Sequence, residues 1–386
     1  MKRAIIVVID SCGVGSLPDA AEYGETHCNT LQNVITHTGV ALPNLNSLGL
    51  GYIIDTPFTP RIPKPAGNYG KMNEASKGKD TTTGHWEMAG LLVDKAFPVF
   101  PDGFPPEVVE KFEQAICTKT LGNYPASGTE IIKQLGAEHL RTGYPIIYTS
   151  EDSVFQIAAH EGIISNEQLY EMCRKARAIL VGENAVGRVI ARPFEGVEGA
   201  FKRTPRRHDF SIDPNGRTIL DSAQAAGQKV VGIGKISDIF NKKGITQSYG
   251  TSGNTEGIAK TIEQAKERFE GILFTNLVDF DMLYGHRNDV DGYANALKEF
   301  DDSLPELMES MGEDDLLFIT ADHGCDPTTP STDHTREYVP IFCYGKTLEG
   351  GVNLGIRATY SDMGSTIAEY LGIEAPRYGE SFLDKL

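Results

Sequence analysis

The sequence predicts an α/β protein in which a mostly parallel sheet is sandwiched by helices, with a smaller α+β domain inserted into it. Three observations predict this. Short β-branched apolar runs recur along the chain, as expected of strands buried on both faces. Segments with helical spacing of apolar residues lie between them, and such alternation implies a parallel sheet covered on both sides. From about residue 100 to about residue 215 the alternation stops, between a Pro- and Gly-rich stretch, Phe97–Pro106, and a basic, Pro-containing stretch, Lys202–Pro214.

The first run, Ala4–Ile9, follows Met1-Lys2-Arg3 and faintly resembles a secretory signal. It spans only six residues and ends at Asp10, with no small-residue cleavage site after it, so it is read as a buried strand. The other expected strands are Val230–Ile233, Ile272–Val278, Leu316–Thr320 and Val339–Tyr344. Thr255–Phe269 carries apolar residues at helical spacing. Tyr293–Met311 does the same, with Pro305 expected to break or restart it. Ser361–Leu371 begins at a serine suited to N-capping. The expected division is 1–99 and 216–386 for the core and 100–215 for the insertion.

The 386 residues are 40% apolar and 23% charged, an ordinary globular balance, with a formal net charge of −17. That acidity argues against nucleic-acid binding, which needs basic surface. It leaves room for a phosphorylated small substrate, because metals and local arginines can reverse the sign inside a cleft. The six cysteines include no C-x-x-C pair and read as reduced thiols of a cytoplasmic protein. No stretch is long enough to span a membrane.

Three apolar runs end in aspartate: at Asp10, at Asp279-Phe280-Asp281, and at Ala321-Asp322-His323. In open α/β sheets ligands bind beyond the carboxyl ends of strands, so these carboxylates can converge. His286, His323 and His334 lie near them in sequence. Carboxylates mixed with imidazoles, without ligand-spaced cysteines, suit Mn²⁺ or Zn²⁺. A nucleophile candidate lies in Gly78-Lys79-Asp80-Thr81-Thr82-Thr83-Gly84-His85-Trp86-Glu87, where a hydroxyl would open a helix through Trp86–Leu92 and face its positive end. The triplet alone does not separate a nucleophile from a plain N-cap.

Taken together, these segments resemble the phosphopentomutase family of the alkaline phosphatase superfamily. The resemblance is carried by Val8-Ile9-Asp10-Ser11, Gly78–Glu87, Leu277–His286, Thr320–Gly324 and Thr332–Glu337. Pro125–Glu130, Arg188–Phe194 and Gly234–Asp238 also fit, so that it runs almost end to end. It implies an alkaline-phosphatase-like core and a cap domain. It implies that Asp281, His286 and His334 hold one Mn²⁺, and that Asp10, Asp322 and His323 hold a second, with Zn²⁺ or another divalent metal compatible with the same donors. Thr81 is implied as the phosphorylated nucleophile and a further ligand of the second metal.

The implied reaction interconverts ribose 5-phosphate and ribose 1-phosphate, and the 2-deoxyribose equivalents, through a phosphothreonine and a bisphosphate. Glucose 1,6-bisphosphate or a pentose bisphosphate would prime it. For the distal phosphate the basic residues Arg188, Arg192, Arg203, Arg206, Arg207 and Lys235 are candidates, and the resemblance favours Arg188 and Arg203 over Arg206 and Arg207. Ser150 and Asp152 are candidates for the sugar. Cys12 and Cys325 are expected to flank the second metal, where thiol modification would act if they were accessible. The alternative is a metal-dependent phosphatase or phosphodiesterase of the same superfamily; the insertion and its motifs favour the mutase. A metal-dependent phosphoglycerate mutase ranks lower because it ordinarily uses serine and a longer chain. A decayed, non-catalytic relative would lack a ligand or the nucleophile, and all seven implied positions hold suitable residues. The protein is expected to be a monomer, without nucleic-acid or membrane partners.

Overall fold

In the computed structural model, which describes residues 1–25, 27–150 and 153–386, the chain forms two compact units. One comprises Met1–Ala96 with Pro214–Leu386, the other Phe97–Asp213.

Among the described residues the first unit is built on an eight-stranded sheet. Its order is Gln247–Tyr249, Lys229–Ile233, Gly271–Leu277, Arg3–Ile9, Asp315–Thr320, Val339–Tyr344, Asn68–Met72 and Asn353–Arg357. The first five strands are mutually parallel; Val339–Tyr344 runs antiparallel to both of its neighbours. Arg3–Ile9 at the centre is buried at every position, which is why it reads as an unbroken apolar run. Its one charge, Arg3, is buried against Asp315, while its guanidinium also donates to the carbonyls of Gln264, Ala265 and Glu267. A buried charge paired through both terminal nitrogens is tolerated where a lone one is not.

The helices cover this sheet with two departures from expectation. Val290–Ser310 runs straight through Pro305. Proline cannot donate to the carbonyl four residues back, that of Asp301. Here Asn44 Nδ2 supplies the missing donor at 2.9 Å, and the Asp301 carboxylate accepts from the backbone N–H groups of Asn44 and Leu45. Tertiary contact thus replaces the lost helical bond. Asn44→Ala should therefore lower stability by about 1–2 kcal/mol, the cost of leaving a buried acceptor unpaired, read as a reduced urea midpoint at unchanged slope. The second departure is Ser361. It is the first residue inside the helix Ser361–Leu371, not its cap, because its hydroxyl donates to the carbonyl of Glu87 at 2.7 Å.

The second unit holds a six-stranded mixed sheet among its described residues. On one face the helices Pro106–Ile116 and Asn166–Ile179 enclose a core that includes Phe104, Phe112, Phe155, Ile157 and Val189. On the other, Gly128–Thr142 contributes Ile131 and Ile132, packed with Ile146, Tyr148 and Phe194.

Candidate active site

The strands Gly271–Leu277, Arg3–Ile9 and Asp315–Thr320 are adjacent and parallel, so their carboxyl ends open on one edge. Asp10 directly follows the central strand. Asp322 and His323 follow its neighbour on one side. On the other side the chain turns through Phe280–Tyr284 and Gly285–Arg287, which present Asp281 and His286. His334 arrives from the segment between the strands Asp315–Thr320 and Val339–Tyr344.

These side chains form two compact donor groups among the described residues: Asp281, His286 and His334, and Asp10, Asp281 and His323, with one donor atom from each lying within 4.8 Å of the others. Asp281 stands in both. Its two oxygens lie 3.2 Å from His286 Nε2 and 3.2 Å from His334 Nε2. His323 Nε2 lies 3.4 Å from Asp10 Oδ1 and 3.5 Å from Asp322 Oδ2. Asp322 sits at the margin, accepting from the Ser11 N–H at 3.0 Å and facing His85 Nδ1 at 3.2 Å.

The donor chemistry fits a divalent metal. His286 Nδ1 faces the Thr332 carbonyl at 2.6 Å and His323 Nδ1 that of Gly324 at 3.0 Å. A carbonyl only accepts, so each Nδ1 donates, which leaves each Nε2 facing the carboxylates. Asp10 Oδ1, Asp281 Oδ1 and Asp322 Oδ2 are buried and accept no hydrogen bond among the described residues. The electrostatics also call for positive charge. Burial opposes protonation of His286, but Asp281 outweighs it and pushes the imidazole up to about 12. Burial would raise Asp322, yet His323 and His85 bring it down to about 2. Burial and the neighbouring Asp322 raise Asp10. Acidic groups this close, with unpaired oxygens, are what a cation neutralises.

The three threonines are told apart by their surroundings. The helix Thr81–Met88 is N-capped by Asp80, whose Oδ1 accepts from the N–H groups of Thr82 and Thr83 at 3.0 and 3.1 Å. Capping therefore falls to Asp80, not to a threonine, and the helix starts earlier than its apolar pattern suggests. Thr83 is buried and its hydroxyl donates to Asp80 Oδ2 at 2.6 Å. No hydrogen bond from the Thr82 hydroxyl to the donor groups is found among the described residues. Thr81 Oγ1 lies 3.3 Å from His323 Nε2. The helix comes this close because residue 84 is glycine: a Cβ there would collide with the Asp322 carbonyl.

Two residues without an assigned role from sequence belong to the site. Asn276 Nδ2 donates to Asp10 Oδ2 at 2.8 Å. His85, fully buried, places Nδ1 2.8 Å from the Thr81 carbonyl and Nε2 3.5 Å from Asn276. The available signal was an asparagine inside the buried strand Gly271–Leu277. Cys12 and Cys325 are both buried. Burial pushes the Cys12 thiol up to about 12 and also raises that of Cys325, despite His286 beside it. Burial thus disfavours the thiolate form of both.

In the second unit, Arg188 and Arg192 share one face of the strand Arg188–Glu195, being four residues apart. Arg188 Nη1 lies 3.7 Å from Asp209 Oδ2, and Arg192 Nε donates to Gln156 Oε1 at 3.0 Å. Arg207 grips Asp209 with two bonds of 2.6 Å, and Arg206 grips Glu161. Arg203, exposed, pairs in register with Phe194 on the same strand as Arg188 and Arg192. Arg192 is held below its usual range by burial and then by its neighbours Arg207 and Arg203, so these guanidiniums crowd together. Ser150 is half-buried at the end of the strand Ile146–Thr149. Asp152 lies outside the described residues. Lys235 belongs to the first unit, immediately before the helix Ile236–Ile239.

Residues 2–375 match the family model described as the metalloenzyme superfamily. The chain is 61% identical to the phosphopentomutase of Acetivibrio thermocellus, with all of both chains covered. It is 58% identical to that of Caldanaerobacter subterraneus subsp. tengcongensis, covering all of this chain and 98% of the relative. Among solved structures it resembles Leishmania mexicana phosphoglycerate mutase, with a TM-score of 0.51, 12% identity, and 98% and 97% of the two chains covered. That likeness concerns the fold alone. Identity above half over the full length, together with the superfamily match, places the chain in the phosphopentomutase family of metalloenzymes.

Proposed function

We propose that this protein interconverts ribose 5-phosphate and ribose 1-phosphate, and the 2-deoxyribose equivalents, with Thr81 as the phosphoryl carrier. The observation that carries the reading is the Thr81 hydroxyl at 3.3 Å from His323, beside buried carboxylates, in a chain similar from end to end to phosphopentomutases. Asp281, His286 and His334 would hold one Mn²⁺, and Asp10, Asp322 and His323 the second, with Thr81 completing it. Bound there, the metals would supply Lewis-acid activation of the hydroxyl and neutralise the transferring phosphoryl group.

The chain's own residues do the rest. Asp80 fixes the first turn of the helix through the N–H groups of Thr82 and Thr83, so that Thr81 Oγ1 faces the donors. Phosphorylated Thr81 gives its group to O1 of ribose 5-phosphate, forming ribose 1,5-bisphosphate. The bisphosphate turns, and its 5-phosphoryl group returns to Thr81, releasing ribose 1-phosphate. Glucose 1,6-bisphosphate or a pentose bisphosphate primes the unphosphorylated threonine. Arg188 and Arg203, on the inserted unit read as a cap, would take the distal phosphate through guanidinium forks. Lys235, Ser150 and Asp152 would complete the substrate contacts.

This reading belongs with a monomeric cytoplasmic enzyme that binds neither nucleic acid nor membrane. Among the described residues no helix is long and apolar enough to cross a membrane. The test is an assay of ribose 5-phosphate with Mn²⁺ and a catalytic amount of glucose 1,6-bisphosphate. Ribose 1-phosphate should accumulate to equilibrium, and only with the activator or a prephosphorylated enzyme. Free phosphate without isomerisation would instead identify a phosphatase.

A further inference from the structure

Lys79 stands two residues before Thr81, on the turn that leads into the reactive helix. Its ammonium has three hydrogens, and three acceptors surround it: Glu25 Oε1 at 2.6 Å, Asp333 Oδ2 at 2.8 Å and the carbonyl of His334 at 2.7 Å. The last two belong to the loop that carries the donor His334. The same loop is gripped further. Asp333 Oδ1 accepts the His334 N–H at 2.8 Å, and Glu25 Oε2 accepts that of Arg336. The turn is tied down as well, by Tyr23 Oη on the Lys77 carbonyl at 2.8 Å and by Arg336 Nη1 on the Gly78 carbonyl at 2.7 Å. Beyond this clamp the His334 ring packs against His323, with centroids 4.0 Å apart and planes inclined by 33°, and His323 faces Thr81.

We propose that Lys79 is a positioning residue that fixes the nucleophilic turn against the His334 donor group. It acts through Asp333 and the His334 carbonyl and does not touch the substrate. A cation two residues from a phosphorylated threonine would ordinarily be read as a phosphate ligand. Here its donors are already committed, and Glu25 and Asp333 more than balance its charge. An incoming phosphate would have to displace carboxylates at 2.6 and 2.8 Å to reach it. The inference rests on the proposed roles of Thr81 and His334, and goes beyond them by making their separation depend on one side chain from neither set.

The test compares Lys79→Met, Lys79→Arg, Asp333→Asn and the Lys79→Met/Asp333→Asn pair in the full chain. Mn²⁺ affinity of the unphosphorylated protein is read by electron paramagnetic resonance, beside kcat and KM for ribose 5-phosphate and the melting temperature. Lys79→Met should weaken Mn²⁺ binding by about 10–100-fold, the usual effect of losing a group that orients a ligand, and lower kcat similarly while KM stays within about twofold. Lys79→Arg should recover part of both. Asp333→Asn should cost less in the Lys79→Met background than alone, because the two act through one contact. Asp333 is half-exposed, so its variant carries the prediction if Lys79→Met fails to fold. A lowered melting temperature with Mn²⁺ affinity and kcat unchanged would reduce Lys79 to a structural tie. A raised KM with unchanged affinity would make it a substrate contact. Either result overturns the proposal. If the wild type does not isomerise the pentose phosphate at all, the functional reading fails, while the Mn²⁺ titration still decides the role of Lys79.

Discussion

Replacing Thr81 with alanine should abolish isomerisation, with kcat falling by at least about 10³-fold, as expected when a covalent carrier is removed and nothing substitutes for it. The fold should survive. Alanine is a good helix former, and the cap of this helix is the Asp80 carboxylate, not the Thr81 side chain. Incubation with glucose 1,6-bisphosphate should then leave the variant unphosphorylated by mass spectrometry, whereas the wild type gains one phosphoryl group. Thr83→Ala is the contrasting case. It removes the 2.6 Å bond to Asp80, so it should lower stability by about 1 kcal/mol while the protein still becomes phosphorylated. A Thr81→Ala protein that still isomerises would transfer the role to Thr82. Inactivity of Thr83→Ala with a normal melting curve would transfer it to Thr83.

The second large effect is expected at Asp281. Its carboxylate is buried and stands in both donor groups, whereas His286 and His334 stand only in the first and Asp10 and His323 only in the second. Asp281→Asn preserves shape but replaces an anionic ligand with a neutral amide. It should strip metal from the His286/His334 group and weaken the Asp10/His323 group, leaving activity below about 10⁻³ of wild type. His286→Ala should empty the first group only. Metal content after exhaustive dialysis, with two ions per chain expected for the wild type, separates the cases. If Asp281→Asn and His286→Ala both retain one ion, Asp281 serves a single metal, and Asp10, Asp322 and His323 hold the other without it. Full metal retention by Asp281→Asn would remove the site from Asp281 altogether.

Much of this was legible in the sequence because the physics is local. A strand buried on both faces must be apolar throughout, so Ala4–Ile9 and Leu316–Thr320 announce themselves, and a carboxylate at the end of such a run lies at the edge where open sheets bind ligands. The alternation of these runs with helical periods gave the parallel α/β class, and the resemblance of the short motifs to phosphopentomutases gave the family.

What the sequence could not decide depends on segments that meet only in the folded chain. Pro305 should break its helix by local rules, yet Asn44, 257 residues away from Asp301, supplies the lost donor. The three consecutive threonines are chemically alike until Asp80 engages Thr83 and the helix turns Thr81 toward His323, 242 residues distant. Asp281 was read as the partner of two histidines, and only the adjacency of its strand to that of Asp10 brings it within reach of the second group as well. The sequence by itself determined the residue types, the strand ends that present them and the family. The tertiary structure decided which hydroxyl faces the donors, which carboxylate is shared and which lysine ties the turn to the loop, because each of these is a distance between side chains whose separation along the chain carries no information about their separation in space.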